Sequence, residues 1–165
     1  MTDDPQQLFL DAYDQYSDAI FRYLYFRTYD SELARELMQE TFMKTWNLMS
    51  RDQSITHLKA FLYKVAHNTM LTHLRKKKTL SLDKLMEKGF SPSVDYEQEY
   101  QSNIAAEGLL SHVHQLPQKY QDIIKMRYMD QLSLKEMSTI LALSENVLSV
   151  RLHRALKKLK LTFPL

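Results

Sequence analysis

Cysteine is absent from the sequence, which excludes disulfides and thiolate metal sites and fits a reducing cytoplasm. Two glycines, Gly89 and Gly108, and four prolines leave little turn chemistry, so an all-α fold is favoured. No apolar run approaches the roughly 18 residues of a membrane span, and the acidic start, Asp3-Asp4, is unlike a secretory leader. Nucleophile elbow, P-loop and glycine-rich phosphate loop are all missing. The histidines (His57, His67, His73, His112, His114 and His153) contain no i, i+4 pair, and His112 and His114 diverge on a helix. These absences point away from an enzyme: no catalytic residue, metal or cofactor is expected.

Charge is abundant but segregated. The net charge of +2 is the balance of four blocks: −5 over residues 1–50, +6 over 51–78, −4 over 79–115 and +5 over 116–165. Two basic blocks separated by acidic ones suggest two polyanion-facing surfaces on one chain, with the acidic blocks facing protein or water. A length of 165 residues accommodates one domain or two small ones, with a real core.

The stretch from His57 to Lys78 is the most informative. Leu58, Phe61, Leu62, Val65, Ala66, Thr69, Met70, His73 and Leu74 follow helical spacing and form one mostly apolar stripe. The opposite ridge carries Lys64, Asn68, Leu71 and Arg75, and the helix runs into Arg75-Lys76-Lys77-Lys78. One buried side and one polar, basic side suit a polyanion lying across the helix. Before it, a long amphipathic helix over 8–29, with a break near Ser17, carries Phe9, Ala12, Tyr13, Tyr16, Ile20, Tyr23 and Leu24. Asp30-Ser31 caps a second helix to about Leu48, in which Leu33, Leu37, Thr41 and Phe42 can face inward and Glu36, Gln39 and Glu40, at i, i+3 and i+4, share another face. Three packed helices over residues 1–78 make one domain.

Residues 79–103 read as a flexible linker, with Gly89, Ser91-Pro92-Ser93, the acidic Asp95, Glu97 and Glu99, and one short helix around Leu82–Met86. A second domain spans 104–165. Leu109, Leu110, Val113 and Leu116 form a helix that ends at Pro117, and a further helix runs from Gln118 to about Met129. Ser133 and Glu136 make a capping box for a short helix to Leu141, and Ser144 caps the last helix through about Leu161. Two helices joined by about three residues, the second one capped, form a helix-turn-helix. The last helix is expected to turn Val147, Leu148 and Leu152 inward and to display Glu145, Asn146, Ser149, Arg151, Arg154, Lys157, Lys158 and Lys160.

These residues resemble the short bacterial RNA polymerase sigma factors of the extracytoplasmic-function type. In the first domain the likeness rests on Glu36-Leu37-Met38-Gln39-Glu40-Thr41-Phe42 with Trp46, on Ala60 through Asn68, and on the basic run Arg75–Lys78. In the second it rests on Leu116-Pro117, Ser133 through Met137, Ser144, Arg151 through Ala155, and Leu159. The resemblance implies that Glu36, Gln39 and Glu40 dock on RNA polymerase core. It implies that Lys64, Asn68, Arg75, Lys76 and Lys77 handle the minus-ten element, trapping a base turned out of the melted strand. The last helix would read the minus-thirty-five element in the major groove, with Arg151 and Arg154 best suited to guanine and Lys157 and Lys158 to phosphate. It also implies an anti-sigma protein that clamps the two domains and hides these faces.

Four positions depart from the family pattern: Arg35 stands where an acid is usual, Thr72 for a common aspartate, Ala142 for the glycine of the turn, and Ser149 for a frequent lysine. Two rival readings stay open on the residues alone. One is a helix-turn-helix regulator with a helical sensor domain, and the other is a sigma-like decoy that binds an anti-sigma protein and never engages DNA.

Overall fold

Asp4, whose side chain accepts from the Gln6 backbone N–H, and Pro5 at the first helical position start α1 (Pro5–Thr28). The helix runs without a break at Ser17. The computed structural model describes residues 4–51, 53–88 and 104–163, with the side chains of 83–88 and 104–107 excepted. Asp30 accepts from the backbone N–H groups of Glu32 and Leu33 to start α2 (Ser31–Met49). Helix α3 spans Leu58–Lys88, and the second half of the chain holds α4 (Ile104–His114), α5 (Gln118–Ile124), a π turn (Lys125–Met129), α6 (Leu134–Leu141) and α7 (Glu145–Thr162). Among the described residues there is no strand, and the all-α expectation holds. The chain divides into two units, Met1–Glu99 and Tyr100–Leu165.

In the first unit α1, α2 and α3 pack on one another. Ile20, Tyr23 and Leu24 of α1 meet Leu37 and Phe42 of α2 and Leu62, Tyr63 and Ala66 of α3 in one core, all of them buried. Phe9 lays its ring 6.2 Å from Phe42 and 5.2 Å from Trp46, closing the end of the bundle. Thr41 and Thr45 are buried but satisfied, since each hydroxyl donates to the carbonyl four residues earlier (2.7 and 2.9 Å).

Two expectations for α3 need correction. The buried stripe is rotated: Tyr63 lies in the core, edge-on to Tyr23 at 5.2 Å, while Phe61 and Val65 are half-buried and Leu74 is exposed. The helix also does not stop at Lys78, so residues 79–88 belong to α3 rather than to the expected linker and its short separate helix. Leu80 and Leu82 are exposed, which is why apolar periodicity fades there. Periodicity reports burial, whereas a run free of glycine and proline continues a helix at one bond per residue. The rest of the expected linker, 89–103, lies outside the described residues.

In the second unit Val113, Leu116, Tyr120, Ile124 and Ala155 form the core, with Leu159 packed against it. The expected α-helix to Met129 changes pitch at Lys125. The extra residue in the π turn carries Lys125 and Met126 inward and leaves Arg127 and Tyr128 exposed. Burial, and secondly the Lys125 charge, holds the His114 imidazole below its usual pKa. Ser133 and Glu136 close the capping box at 3.1 and 2.8 Å. Between α6 and α7, Ala142 sits in the left-handed region (φ 54) and is exposed. Its Cβ costs about 1 kcal/mol there. Ala142→Gly is therefore expected to stabilise the second unit by up to about 1 kcal/mol, read as an upward shift of its thermal midpoint.

Candidate nucleic-acid interface

The ridge of α3 is open. Lys64, Asn68, Arg75, Lys76 and Lys77 are all exposed; Lys64, Asn68 and Arg75 lie on the side of the helix away from buried Leu62, Ala66 and Met70, and Lys76 and Lys77 follow beyond the buried stretch. Around Asn68 the backbone carbonyl accepts from Thr72 Oγ1 at 2.9 Å. Beneath the ridge, Tyr23 Oη and His67 Nδ1 share a hydrogen bond of 2.8 Å, and the Arg27 guanidinium lies 3.7 Å from the Tyr23 ring centroid. Residue 67 is thus held against α1 while its neighbour Asn68 faces solvent. This anchoring fixes the azimuth of α3 and so the direction in which Lys64 and Asn68 point.

Glu36, Gln39 and Glu40 are exposed along α2, as their spacing predicts. The face is not purely acidic. Glu40 Oε1 pairs with Lys44 Nζ at 2.8 Å, and the same ammonium donates to Thr69 Oγ1 on α3 at 3.1 Å. Arg35 is exposed on the same side. Met43, 67% exposed, was not singled out by the sequence reading, although its place seven residues after Glu36 puts it on that ridge.

In α7 the helix-turn-helix display is mostly as expected. Glu145, Asn146, Ser149, Arg154, Lys157 and Lys158 are exposed and Arg151 is half-buried. Val147 is a correction: it is 43% exposed, and Val150 is 50% exposed. The buried stripe is Leu148 and Ala155, with Leu159 beside it, whereas Val147, Val150, Arg151 and Arg154 fall at i, i+3, i+4 and i+7 on another face. With Asn146 they line a groove of about 360 Å³, walled by Lys119 and Tyr120 of α5. Lys119 Nζ and Lys158 Nζ stand 5.1 and 5.8 Å from the Tyr120 ring centroid, and Lys119 also lines the groove.

Two basic helical surfaces on separate units restrict the functional class, and comparison with known proteins decides it. Residues 12–79 match the sigma-70 region 2 family and residues 107–159 match sigma-70, region 4. The chain is 33% identical to the ECF RNA polymerase sigma factor SigM of Bacillus subtilis (strain 168) over 154 residues, 91% of either protein. The chain belongs to the extracytoplasmic-function RNA polymerase sigma factors. Such a factor directs RNA polymerase core to specific promoters and starts transcription there.

A second relative of this sigma factor is the RNA polymerase sigma factor YlaC of the same bacterium, 28% identical over 91% of this chain and 88% of its own length. In fold, the sigma factor RpoE from Bartonella quintana, solved in complex with the anti-sigma factor NepR, aligns with a TM-score of 0.70 at 17% identity over 93% of this chain and 95% of its own. The basic part of α3, through Lys78, falls within the region 2 match, where the rival regulator would need a sensor domain. Among the described residues of this sigma factor no helix is long and apolar enough to cross a membrane, and no cluster of three metal-ligating side chains occurs.

Proposed function

We propose that the labour of initiation is divided among three faces of this sigma factor. The α2 ridge, Glu36, Gln39 and Glu40, docks on core polymerase. An acidic and amide face attracts a basic protein helix and repels phosphate. The α3 ridge meets the minus-ten element: Lys64 and Arg75 through Lys77 neutralise strand phosphates, and Asn68 hydrogen-bonds the edge of an unstacked base. Helix α7 grips the minus-thirty-five element, with Arg151 and Arg154 on guanine, Asn146, Ser149 and Glu145 at the groove end, and Lys157 and Lys158 on phosphates.

The observation that carries this reading is the exposure of Lys64, Asn68 and Arg75 as one ridge above a buried stripe. A polar ridge held outward by a tyrosine-histidine contact below it is a surface prepared for a partner. The factor is read as cytoplasmic and non-enzymatic, the chemistry of transcription belonging to the polymerase. The anti-sigma partner named for the RpoE structure supports a protein of that class for this chain as well, one that covers the same faces. A decoy that met only such a protein would have no use for an outward basic ridge on α3.

The test is Asn68→Ala. It should lower the fraction of open promoter complex by about tenfold, since an unpaired base edge costs about 1–3 kcal/mol. Closed-complex binding and the thermal midpoint should stay unchanged, because Asn68 is exposed. Single-strand-selective chemical probing of the minus-ten region measures this directly. Open complex at wild-type level would remove Asn68 from the strand-opening surface.

A further inference from the structure

The groove beside α7 is the feature of the fold that polymerase docking and phosphate contact leave unexplained. Its floor is apolar, with Val147 and Val150 exposed one helical turn apart on the face of α7 that also carries Arg151 and Arg154. Its rim is cationic: Arg151 and Arg154 continue the valine face, and Lys119 and Lys158 flank the Tyr120 ring. Exposed valines gain nothing in water and are poor helix formers there. Set among cations, they fit an occupant that is anionic along its edges and apolar at isolated points in its centre. A major groove has that character, with phosphates on both walls and thymine 5-methyl groups projecting from its floor.

Resting on the reading of α7 as the upstream-reading helix, we propose that Val147 and Val150 are specificity-determining residues that select thymine at the upstream promoter element by packing against its 5-methyl group. Valine offers no hydrogen bond, so it separates thymine from cytosine by the methyl alone, and it complements the donors that Arg151, Arg154 and Asn146 aim at base edges. Lys119, on the neighbouring helix, meets the backbone phosphate and sets the depth at which α7 enters. Ser149, where the family often has lysine, fits the same division: it places no second cation beside Val150 to compete for the groove floor.

The experiment uses polymerase holoenzyme reconstituted with the full chain. Duplexes selected from a randomised upstream region define the bound element, and the proposal expects at least one selected thymine in it. Replacing thymines by deoxyuridine removes only the methyl groups. The wild type should then lose affinity about four-fold for each methyl read, the value of one buried carbon. In Val147→Ala or Val150→Ala that sensitivity should disappear at one position each, and both variants should fold, since alanine is the better helix former at an exposed site.

A selected element without thymine, or wild-type holoenzyme that binds the uracil duplex as tightly as the thymine one, overturns the proposal. So does a valine variant that weakens core binding while keeping its thymine sensitivity, since the groove would then hold a polymerase or other protein helix. Failure of the underlying reading looks different: Arg154→Ala would then leave upstream DNA binding unaltered, whatever the thymine result.

Discussion

Glu40→Lys is expected to weaken binding of this sigma factor to core polymerase by about 2–5 kcal/mol, thirty-fold to several thousand-fold, without unfolding it. The size follows from what the substitution does at an interface. It removes one partner of a desolvated charge pair and leaves a like charge against the basic surface that the ridge is proposed to meet. The small effect on folding follows from the local geometry. Glu40 and its partner Lys44 are 53% and 48% exposed, and an exposed i, i+4 pair contributes only about 0.3–0.5 kcal/mol. The reversal also sets two ammonium groups four residues apart, which costs a similar small amount. Lys44 keeps its bond to Thr69, so α2 and α3 stay tied. Asp18→Lys, on exposed α1 surface, changes net charge equally and should leave core affinity within about two-fold. Titration of labelled core with each variant, beside thermal unfolding, gives both readouts. Equal losses in the two variants would make the effect one of net charge and dissolve the docking ridge.

What was legible in the sequence was what local chemistry writes into neighbouring residues. Asp30 and Ser144 stand as helix caps because their side chains reach the next backbone N–H groups, and Ser133 with Glu136 closes both bonds of the capping box. The same holds for the outward ridge of Lys64, Asn68 and Arg75, which shows its period directly. The left-handed residue between α6 and α7 is Ala142, the position at which the family resemblance sets the glycine of the turn.

Two of the misreadings concern which of two apolar neighbours a helix buries. Val147 and Leu148 differ by 100° around α7, and only packing against α5 and α6 decides that Leu148 goes inside. Tyr63 enters the first core because its ring meets Tyr23, a residue forty positions away. The π turn at Lys125–Met129 has no local signature, since one inserted residue changes the register without changing composition. The extension of α3 to Lys88 was hidden because its exposed leucines break the apolar period. The groove beside Tyr120 was out of reach for the same reason, as it needs Val147 and Val150 outward and α5 alongside.

Leu148→Ala should unfold the second unit, the one proposed to grip upstream DNA, while leaving the first intact. Leu148 is fully buried on α7, and truncating such a leucine costs about 2–5 kcal/mol in transfer energy and residual cavity. A unit of this size, described over residues 104–163, has about 3–9 kcal/mol of stability in all, so most or all of it goes. Its thermal midpoint should fall by about 10–30 °C. The three-helix unit has its own core of Ile20, Tyr23, Leu24, Leu62 and Ala66, and its transition should not move. The adjacent Val147→Ala, at an exposed position, should stay within about 0.5 kcal/mol of wild type in stability, which makes a one-residue control for the inward direction of α7. In function the split is equally sharp. Core binding, proposed to rest on the α2 ridge, should survive Leu148→Ala, while affinity for promoters that carry the upstream element should drop to that of promoters lacking it. Calorimetry that shows both transitions falling together would mean that the two units fold as one, and the division of labour between them would have to be given up.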